Sequence, residues 1–134
     1  MTKKFSSETN LPWWKKGVIY QIYPRSFNDT SGNGIGDLKG ISKKISYLSS
    51  LGVNALWLSP IFTSPMKDMG YDVSNYTDID PLFGNILDFE KLIEKAKENK
   101  IKVLIDQVLS HSSDAHPFFK LSKLNKNNSK ADWY

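Results

Sequence analysis

The sequence predicts an α/β fold in which parallel strands alternate with helices in the order βαβαβ. Three short runs rich in β-branched, aliphatic and aromatic residues are separated by two longer segments in which apolar residues recur at helical spacing. The connections between the runs are long enough to carry helical crossovers, which parallel strands require.

The first strand and the first helix lie on either side of a glycine-rich loop. Residues 17–23 form a β-branched and aromatic run, which Pro24 ends because proline cannot donate to a strand ladder. The stretch 37–50 predicts a helix with Asp37 as its N-cap and Gly52 just past its C-terminus. The apolar residues at helical spacing are Leu38, Ile41, Ile45 and Leu48.

The other two strands enclose the second helix. Residues 53–58 predict the second strand, and the segment 61–83, which proline and glycine interrupt, predicts a functional loop. A helix that closes near Asn99 is marked by Leu87, Phe89, Leu92, Ile93 and Ala96. Residues 101–108 predict the third strand, whose aliphatic run is typical of a strand buried on both faces.

Two architectures use this order of elements. A doubly wound sheet could be nearly complete within 134 residues. A closed (β/α)8 barrel needs eight strands and ~200 residues or more, so this chain would supply three strands and would not close. The order of elements alone does not choose between them.

Composition excludes several classes of function. The 18 basic residues outnumber the 14 acidic ones, but Arg25 is the sole arginine and the lysines are scattered, so we expect no nucleic-acid partner. The chain has no cysteine and hence no disulfide or thiolate metal site of its own. No apolar segment reaches the length of a membrane span, so we expect no membrane partner and a cytoplasmic location. The oligomeric state is left open.

The loop before the first helix has the chemistry of a hard-cation site. Side-chain oxygens occur at Asp29, Ser31, Asn33 and Asp37, and the intervening glycines let the backbone offer the Ile35 carbonyl as another ligand. The five residues predict a Ca²⁺ or Mg²⁺ site. An EF-hand is excluded because its twelfth position is glycine here and not a bidentate glutamate. The alternative is a turn that satisfies its own polar groups, with Asp37 capping the helix.

Two later segments have the chemistry of a sugar site. Asp68 and Tyr71 share one loop, and a carboxylate can accept hydrogen bonds from sugar hydroxyls while an aromatic ring stacks on a pyranose. Asp106 and His111 follow the apolar part of the third strand, on the side where parallel α/β folds bind ligands. The alternatives are an ordinary turn and a histidine satisfied by nearby backbone.

A zinc site built from His111, Asp114 and His116 is disfavoured. The two histidines are five positions apart in a predicted loop, and no third firm ligand lies near them.

Six motifs occur in an order that resembles a known enzyme family. They are WW at 13–14, GVIYQIYPRSF at 17–27, GIGDLKG at 34–40, LWLSP at 56–60, GYD at 70–72 and DQVLSH at 106–111. Together they resemble the alpha-glucosidase and oligo-1,6-glucosidase branch of the alpha-amylase superfamily of glycoside hydrolases. The resemblance covers residues 13–134. It implies the N-terminal βαβαβ portion of a (β/α)8 TIM barrel, incomplete in this chain.

The resemblance also implies an activity. Members of this branch are retaining glycosidases that release glucose from the non-reducing end of short α-glucosides such as maltose, isomaltose or sucrose. Asp68 would hold the terminal glucose through its hydroxyls, and Tyr71 would stack under that ring. His111 would hydrogen-bond the same sugar, while Asp106 would support the site from the strand end.

The chain departs from the family pattern at two places. The cation loop usually reads Asp-x-Asn-x-Asp, whereas this chain has Ser31 and Asn33, so one negative charge is missing and we expect weaker cation binding. The strand motif usually ends in Asn-His, and here it ends in Ser110 and His111. The form with serine resembles that of a subgroup of bacterial alpha-glucosidases.

No catalytic residue is expected in this chain. A retaining glycosidase needs a nucleophilic carboxylate and an acid/base carboxylate about 5 Å apart, and the resemblance places both on strands beyond the third. We therefore expect the isolated chain to be inactive.

The resemblance divides the chain into three parts. We expect a flexible N-terminus at 1–12, the first three β/α units of a catalytic barrel at 13–119, and the truncated start of an inserted loop domain at 120–134. The alternatives are a non-catalytic sugar-binding module, a cation-stabilised structural module, or a partial barrel that another chain completes.

Overall fold

A computed structural model describes residues 11–134, which contain five strands and four α-helices. In chain order they are β1 (Ile19–Ile22), α1 (Pro24–Phe27), α2 (Leu38–Ser50), β2 (Ala55–Leu58), β3 (Phe62–Thr63), β4 (Asn75–Ile79), α3 (Ile86–Glu98), β5 (Lys102–Ile105) and α4 (Pro117–Ser122). Short 3-10 helices occur at Trp13–Lys15 and Ala131–Trp133. Most of the N-terminal segment that the sequence predicts to be flexible, residues 1–10, lies outside the described residues.

The main sheet consists of three parallel strands in the order β1-β2-β5. The register pairs Ile22 with Leu58 and Leu58 with Ile105, so the three strands end at the same level. Helices α2 and α3 lie in the two crossovers between these strands. The predicted order βαβαβ is therefore confirmed, with each strand two to four residues shorter than predicted.

Helix α2 supplies one wall of the core. Its apolar stripe is fully buried and packs with Ile22, Leu56 and Leu58 of the sheet. The stripe consists of Leu38, Ile41, Ile45 and Leu48. Asp37 caps the helix as predicted, because its carboxylate accepts the Gly40 N–H at 2.6 Å.

Helix α3 packs against α2 and joins the same core. Leu92 and Ala96 are fully buried there. Asn85 caps the helix by accepting the Asp88 N–H at 3.0 Å. The helix begins at Ile86, one residue before Leu87, which is the first residue of the apolar pattern that predicted it.

The prediction of segment 61–83 as a functional loop gave no strands there, and in that respect it is wrong. Strand β3 pairs with β4 in a small antiparallel sheet, with Phe62 opposite Ile79. Phe62 and Val73 are buried with Val108 in a second apolar cluster outside the main core. Strand β3 is only two residues long, and β4 includes one Asn and one Asp, which have low β propensity, among its five residues, so the local sequence gives only a weak sign of this pairing.

The prediction that the third strand is buried on both faces is also wrong for the described residues. Strand β5 is an edge strand that pairs with β2, and Leu104 and Ile105 are 39% and 40% exposed. The strand ends at Ile105 rather than at Val108. Asp106 extends the pairing by one residue, since its N–H donates to the Leu58 carbonyl at 3.0 Å.

The short helices α1 and α4 are features that periodicity does not predict. Each begins at a proline, which is favoured at the first helical position. The predicted domain boundary between residues 119 and 120 falls within α4, and the division into 13–119 and 120–134 remains a prediction.

No helix within residues 11–134 is both long and apolar enough to cross a bilayer. The longest, α2 and α3, have 13 residues each, whereas a span needs about 20.

Gly40 lies in the first turn of α2, where no side chain fits. A Cβ at this position would overlap the carbonyl of Asn28. We expect Gly40→Ala to lower the free energy of unfolding by about 1–3 kcal/mol through overpacking, although alanine is the better helix former. Urea denaturation measures this change. The control is Ser46→Ala on the exposed face of the same helix, which should be neutral or slightly stabilising; equal effects of the two substitutions would contradict the packing argument.

Candidate functional site

The predicted sugar-site residues lie near the C-terminal edge of the main sheet. Asp106 directly follows β5, and Ser59 directly follows β2. Gln21 in β1 donates from Nε2 to Ser59 Oγ at 3.2 Å, which links the ends of the first two strands. Parallel α/β folds bind their ligands at this edge, because the connecting loops converge there.

Tyr71 connects the long loop to this edge. Its hydroxyl donates to Asp106 Oδ2 at 3.2 Å. Burial is the main cause that raises the pKa of Tyr71, and the charge of Asp106, the hydrogen bond to it and the charge of Asp68 act in the same direction. The phenol therefore remains protonated and donating at neutral pH.

His111 contacts the backbone of the same tyrosine. Its Nε2 lies 3.0 Å from the backbone oxygen of Tyr71, and its Nδ1 lies 3.0 Å from Ser110 Oγ. The imidazole is on an exposed residue, six positions beyond the end of β5. Tyr71 is thus in direct contact with both Asp106 and His111.

Asp68 lies in the same loop as Tyr71 and is exposed. Its backbone oxygen accepts the Tyr71 N–H at 2.9 Å. Within residues 11–134 its carboxylate has no hydrogen-bond donor, although its charge acts on Tyr71. The four predicted residues therefore form one cluster, in which the Asp68 carboxylate is open to a ligand. Their roles in sugar binding remain predictions.

Asp72 belongs to the same sequence motif but serves the loop itself. Its carboxylate accepts Ser64 Oγ at 2.7 Å, the Lys67 N–H at 3.0 Å and the Asp68 N–H at 3.1 Å. Desolvation opposes ionisation of this group, but these hydrogen bonds outweigh it and lower the pKa of Asp72. Asp72 therefore fixes the backbone from which Asp68 and Tyr71 project.

Tyr76 is a structural partner of the site that the sequence patterns did not reveal. Its hydroxyl lies 2.9 Å from the Val108 carbonyl and 2.8 Å from the His111 carbonyl, so it anchors the segment after β5. The residue lies in β4, whose pairing was not predicted.

An aromatic groove of about 540 Å³ adjoins His111. Its aromatic lining includes Tyr76, Phe118, Trp133 and Tyr134. Tyr134 lies at one side of the groove, where its hydroxyl is hydrogen-bonded to Ser112 Oγ at 2.7 Å. The sequence patterns did not reveal this groove, because its aromatic residues are spread over positions 76 to 134 and form no motif of their own.

His116 does not join His111 in a metal site. Its Nδ1 accepts the Phe118 N–H at 3.1 Å as the cap of α4, and its ring packs against Tyr76 and Phe118. Burial lowers the pKa of His116, which keeps the ring neutral for that capping bond. Among the described residues no group of three or more His, Cys, Asp or Glu side chains is arranged to hold a metal ion.

The predicted cation loop is held by its own hydrogen bonds. Asp29 accepts the N–H groups of Ser31, Gly32 and Gly34 at 2.8 to 2.9 Å, together with Ser31 Oγ at 3.1 Å. Asn33 Oδ1 accepts the Ile35 N–H at 2.8 Å. The hydrogen bond from Gly34 is the main cause that lowers the pKa of Asp29.

The last predicted cation ligand, Asp37, closes this loop onto helix α2. Its Oδ2 accepts both the N–H and the hydroxyl of Thr30, at 2.9 and 2.8 Å. The all-oxygen donor set suits Ca²⁺ or Mg²⁺. The same side-chain oxygens already accept hydrogen bonds from the loop backbone, as expected for the alternative, a turn that satisfies its own polar groups. Cation binding remains a prediction.

Comparison with known proteins identifies relatives of this chain. Residues 21–134 match the family described as "Alpha amylase, catalytic domain". The chain is 56% identical over 127 residues to a probable alpha-glucosidase of Rhizobium meliloti, and 52% identical over 122 residues to a glucan 1,6-alpha-glucosidase of Streptococcus dysgalactiae subsp. equisimilis. These alignments cover 95% and 91% of this chain but only 23% of either relative.

Solved structures agree with this relationship. The crystal structure of an alpha-glucosyl transfer enzyme, XgtA, superposes with a TM-score of 0.91 at 58% identity, over 93% of this chain and 23% of that one. The structures that match are TIM-barrel enzymes, so the predicted N-terminal portion of a (β/α)8 barrel is confirmed. The described residues hold its first three parallel strands and do not form a closed barrel.

Asp72 makes the stability of the 64–72 loop depend on pH. Since the folded-state pKa of Asp72 is lowered, its contribution is complete above the unfolded value of about 3.9 and is lost as pH falls below that value. We expect Asp72→Asn to cost about 1 kcal/mol of unfolding free energy at pH 7 and less at pH 3. Urea denaturation at both pH values measures the difference. Asp132→Asn, at an exposed position, is the control and should change little; a cost of Asp72→Asn that is equal at both pH values would contradict the prediction.

The cation prediction for the 29–37 loop is tested by thermal unfolding. We expect Ca²⁺ or Mg²⁺ to raise the Tm only at about millimolar concentration, because the loop has few charged ligands. Asp29→Asn should abolish the rise, even though it also lowers the Tm without cation. Asp132→Asn should leave the rise intact, and a Tm that is independent of both cations would favour the self-solvated turn.

Proposed function

This chain belongs to the alpha-amylase catalytic-domain family, and from that premise we propose that it supplies the glucose-holding part of a retaining α-glucosidase. The observation that carries the proposal is the contact of Tyr71 with both Asp106 and His111, beside the open carboxylate of Asp68. A terminal glucose offers an apolar ring face and several hydroxyls, which suit an aromatic side chain among carboxylates. The substrates would be short α-glucosides such as maltose, isomaltose or sucrose.

Each residue of the cluster has a distinct task in this proposal. Tyr71 stacks against the sugar ring, and its hydroxyl bond to Asp106 fixes the position of the phenol. Asp68 accepts hydrogen bonds from two sugar hydroxyls, which a carboxylate can do with good geometry. His111 donates from Nε2 to a sugar oxygen, which shares that proton with the backbone oxygen of Tyr71. Such contacts orient the glucosidic bond for catalytic groups, which is how positioning lowers a reaction barrier.

In this proposal the chain holds the sugar, and two further carboxylates cleave the glucosidic bond. The relatives carry the names of glucosidases and of a glucosyl transfer enzyme, and this chain spans about 23% of their length. The nucleophile and the acid/base of a retaining enzyme are two further carboxylates about 5 Å apart, for which none of the motifs of this chain is a candidate. A cytoplasmic location belongs to the same proposal.

Glucose binding by the chain tests the proposed site. We expect a dissociation constant on the order of millimolar, because a monosaccharide has few atoms to contribute. Tyr71→Ala should weaken binding about three- to tenfold through loss of the aromatic contact, and Asp68→Asn should weaken it similarly. Chemical-shift titration with glucose gives the constants.

Matched controls exist elsewhere in the chain. Tyr47→Ala removes an exposed tyrosine from α2, and Asp132→Asn removes an exposed carboxylate; neither should change the constant. Assay of the chain against a chromogenic α-glucoside completes the test, with no hydrolysis above background expected. Glucose binding that tolerates both site substitutions would refute the proposed site, and measurable hydrolysis would refute the assignment of catalysis to other carboxylates.

A further inference from the structure

Both ring nitrogens of His111 are engaged, and the chemistry of their partners fixes the position of the proton. Nε2 lies 3.0 Å from the backbone oxygen of Tyr71, which can only accept. Nε2 of the neutral ring must therefore carry the proton. Nδ1 is then a lone-pair acceptor, so Ser110 Oγ, 3.0 Å away, must be the donor.

We propose that Ser110 is a positioning residue that holds the ring of His111 in the orientation in which Nε2–H faces the backbone oxygen of Tyr71. A neutral imidazole without a partner at Nδ1 can rotate its ring plane away from that oxygen and then exchange its tautomers. The serine hydroxyl opposes this rotation by donating to Nδ1, while the Tyr71 oxygen, which only accepts, keeps the proton on Nε2. The hydrogen bonds then run in one direction, from Ser110 to His111 and from His111 to the backbone of Tyr71.

This arrangement defines what His111 can offer to a ligand. With the proton on Nε2, that nitrogen is a donor whose one proton already points to the backbone oxygen of Tyr71. A ligand group at Nε2 must share that proton in a bifurcated hydrogen bond, so it must supply an acceptor oxygen. A sugar hydroxyl supplies one, and this step rests on the proposed function. Ser110 thereby keeps the donor nitrogen of His111 at the site, although its own side chain need not touch the sugar.

The tautomer is measured on the chain labelled with ¹⁵N at histidine, by long-range ¹H–¹⁵N correlation NMR. The chain has two histidines, so the spectrum is simple. We expect a single Nε2–H pattern for His111, a mixed or exchange-broadened pattern in Ser110→Ala, and the single pattern again in Ser110→Thr, which retains the hydroxyl. His116 is the internal control, because its Nδ1 accepts from Phe118 N–H and its signals should not change in either variant.

A second measurement connects the tautomer to the ligand. Glucose titration of the same samples should show about three- to tenfold weaker binding by Ser110→Ala, the effect of about one hydrogen bond, and recovery in Ser110→Thr. An Nδ1–H or mixed pattern for His111 in the unsubstituted chain overturns the proposal, and so does an unchanged pattern in Ser110→Ala. If the tautomer responds as expected but no variant binds glucose, the positioning role stands and the proposed function fails.

Discussion

The site depends on the parallel register of the three-stranded sheet. Because Ile22, Leu58 and Ile105 lie in one row, the residues that follow them emerge at a common edge. A shift of one residue in β5 would turn its side chains to the opposite face and remove Asp106 from Tyr71. The register is in turn fixed by the apolar residues that α2 and α3 bury against the sheet. The core and the site are therefore set by the same constraint, although they share few residues.

Carboxylates fix the backbone of the loops by accepting hydrogen bonds from backbone N–H groups. Asp29, Asp37 and Asp72 each accept several backbone N–H groups, and the buried Asp80 accepts those of Ser64 and Leu82. Buried or turned backbone groups need such partners, and an ionised acceptor provides the strongest ones. These four acids are therefore occupied by the backbone. Asp68 differs, because no hydrogen-bond donor within residues 11–134 contacts its carboxylate, and composition alone does not show this difference.

Local patterns predicted the crossovers well, and non-local contacts account for what was missed. The stripe of α2 and the cap at Asp37 depend on neighbours along the chain, so the sequence shows them directly. The pairing of β3 with β4 and the anchoring role of Tyr76 depend on contacts between distant segments, which periodicity does not encode. The four residues of the predicted sugar site were recognisable as chemical types, but the hydrogen bonds of Tyr71 to Asp106 and His111 required the folded chain. The prediction that β5 is buried was wrong for a related reason. A Val/Ile/Leu run indicates a strand covered on both faces, whereas the side chains of Trp57 and Leu104 are partly exposed within residues 11–134.

The electrostatics of the cluster favour a neutral ligand over an anion. Asp68 and Asp106 place two negative charges beside Tyr71, and their effect is visible in the raised pKa of that phenol, after burial as the main cause. An anionic group at the same place would meet repulsion from both carboxylates in a partly desolvated setting, where charges interact more strongly than in water. A hydroxyl avoids this repulsion, because in the proposed site it would donate to Asp68 and accept from the Nε2–H of His111. The positions of these groups thus match the capacity of a sugar hydroxyl, which gives one proton and receives others. The tautomer of His111 matters for this match, because with the proton on Nδ1 the Nε2 atom would be an acceptor and could not donate to a hydroxyl oxygen.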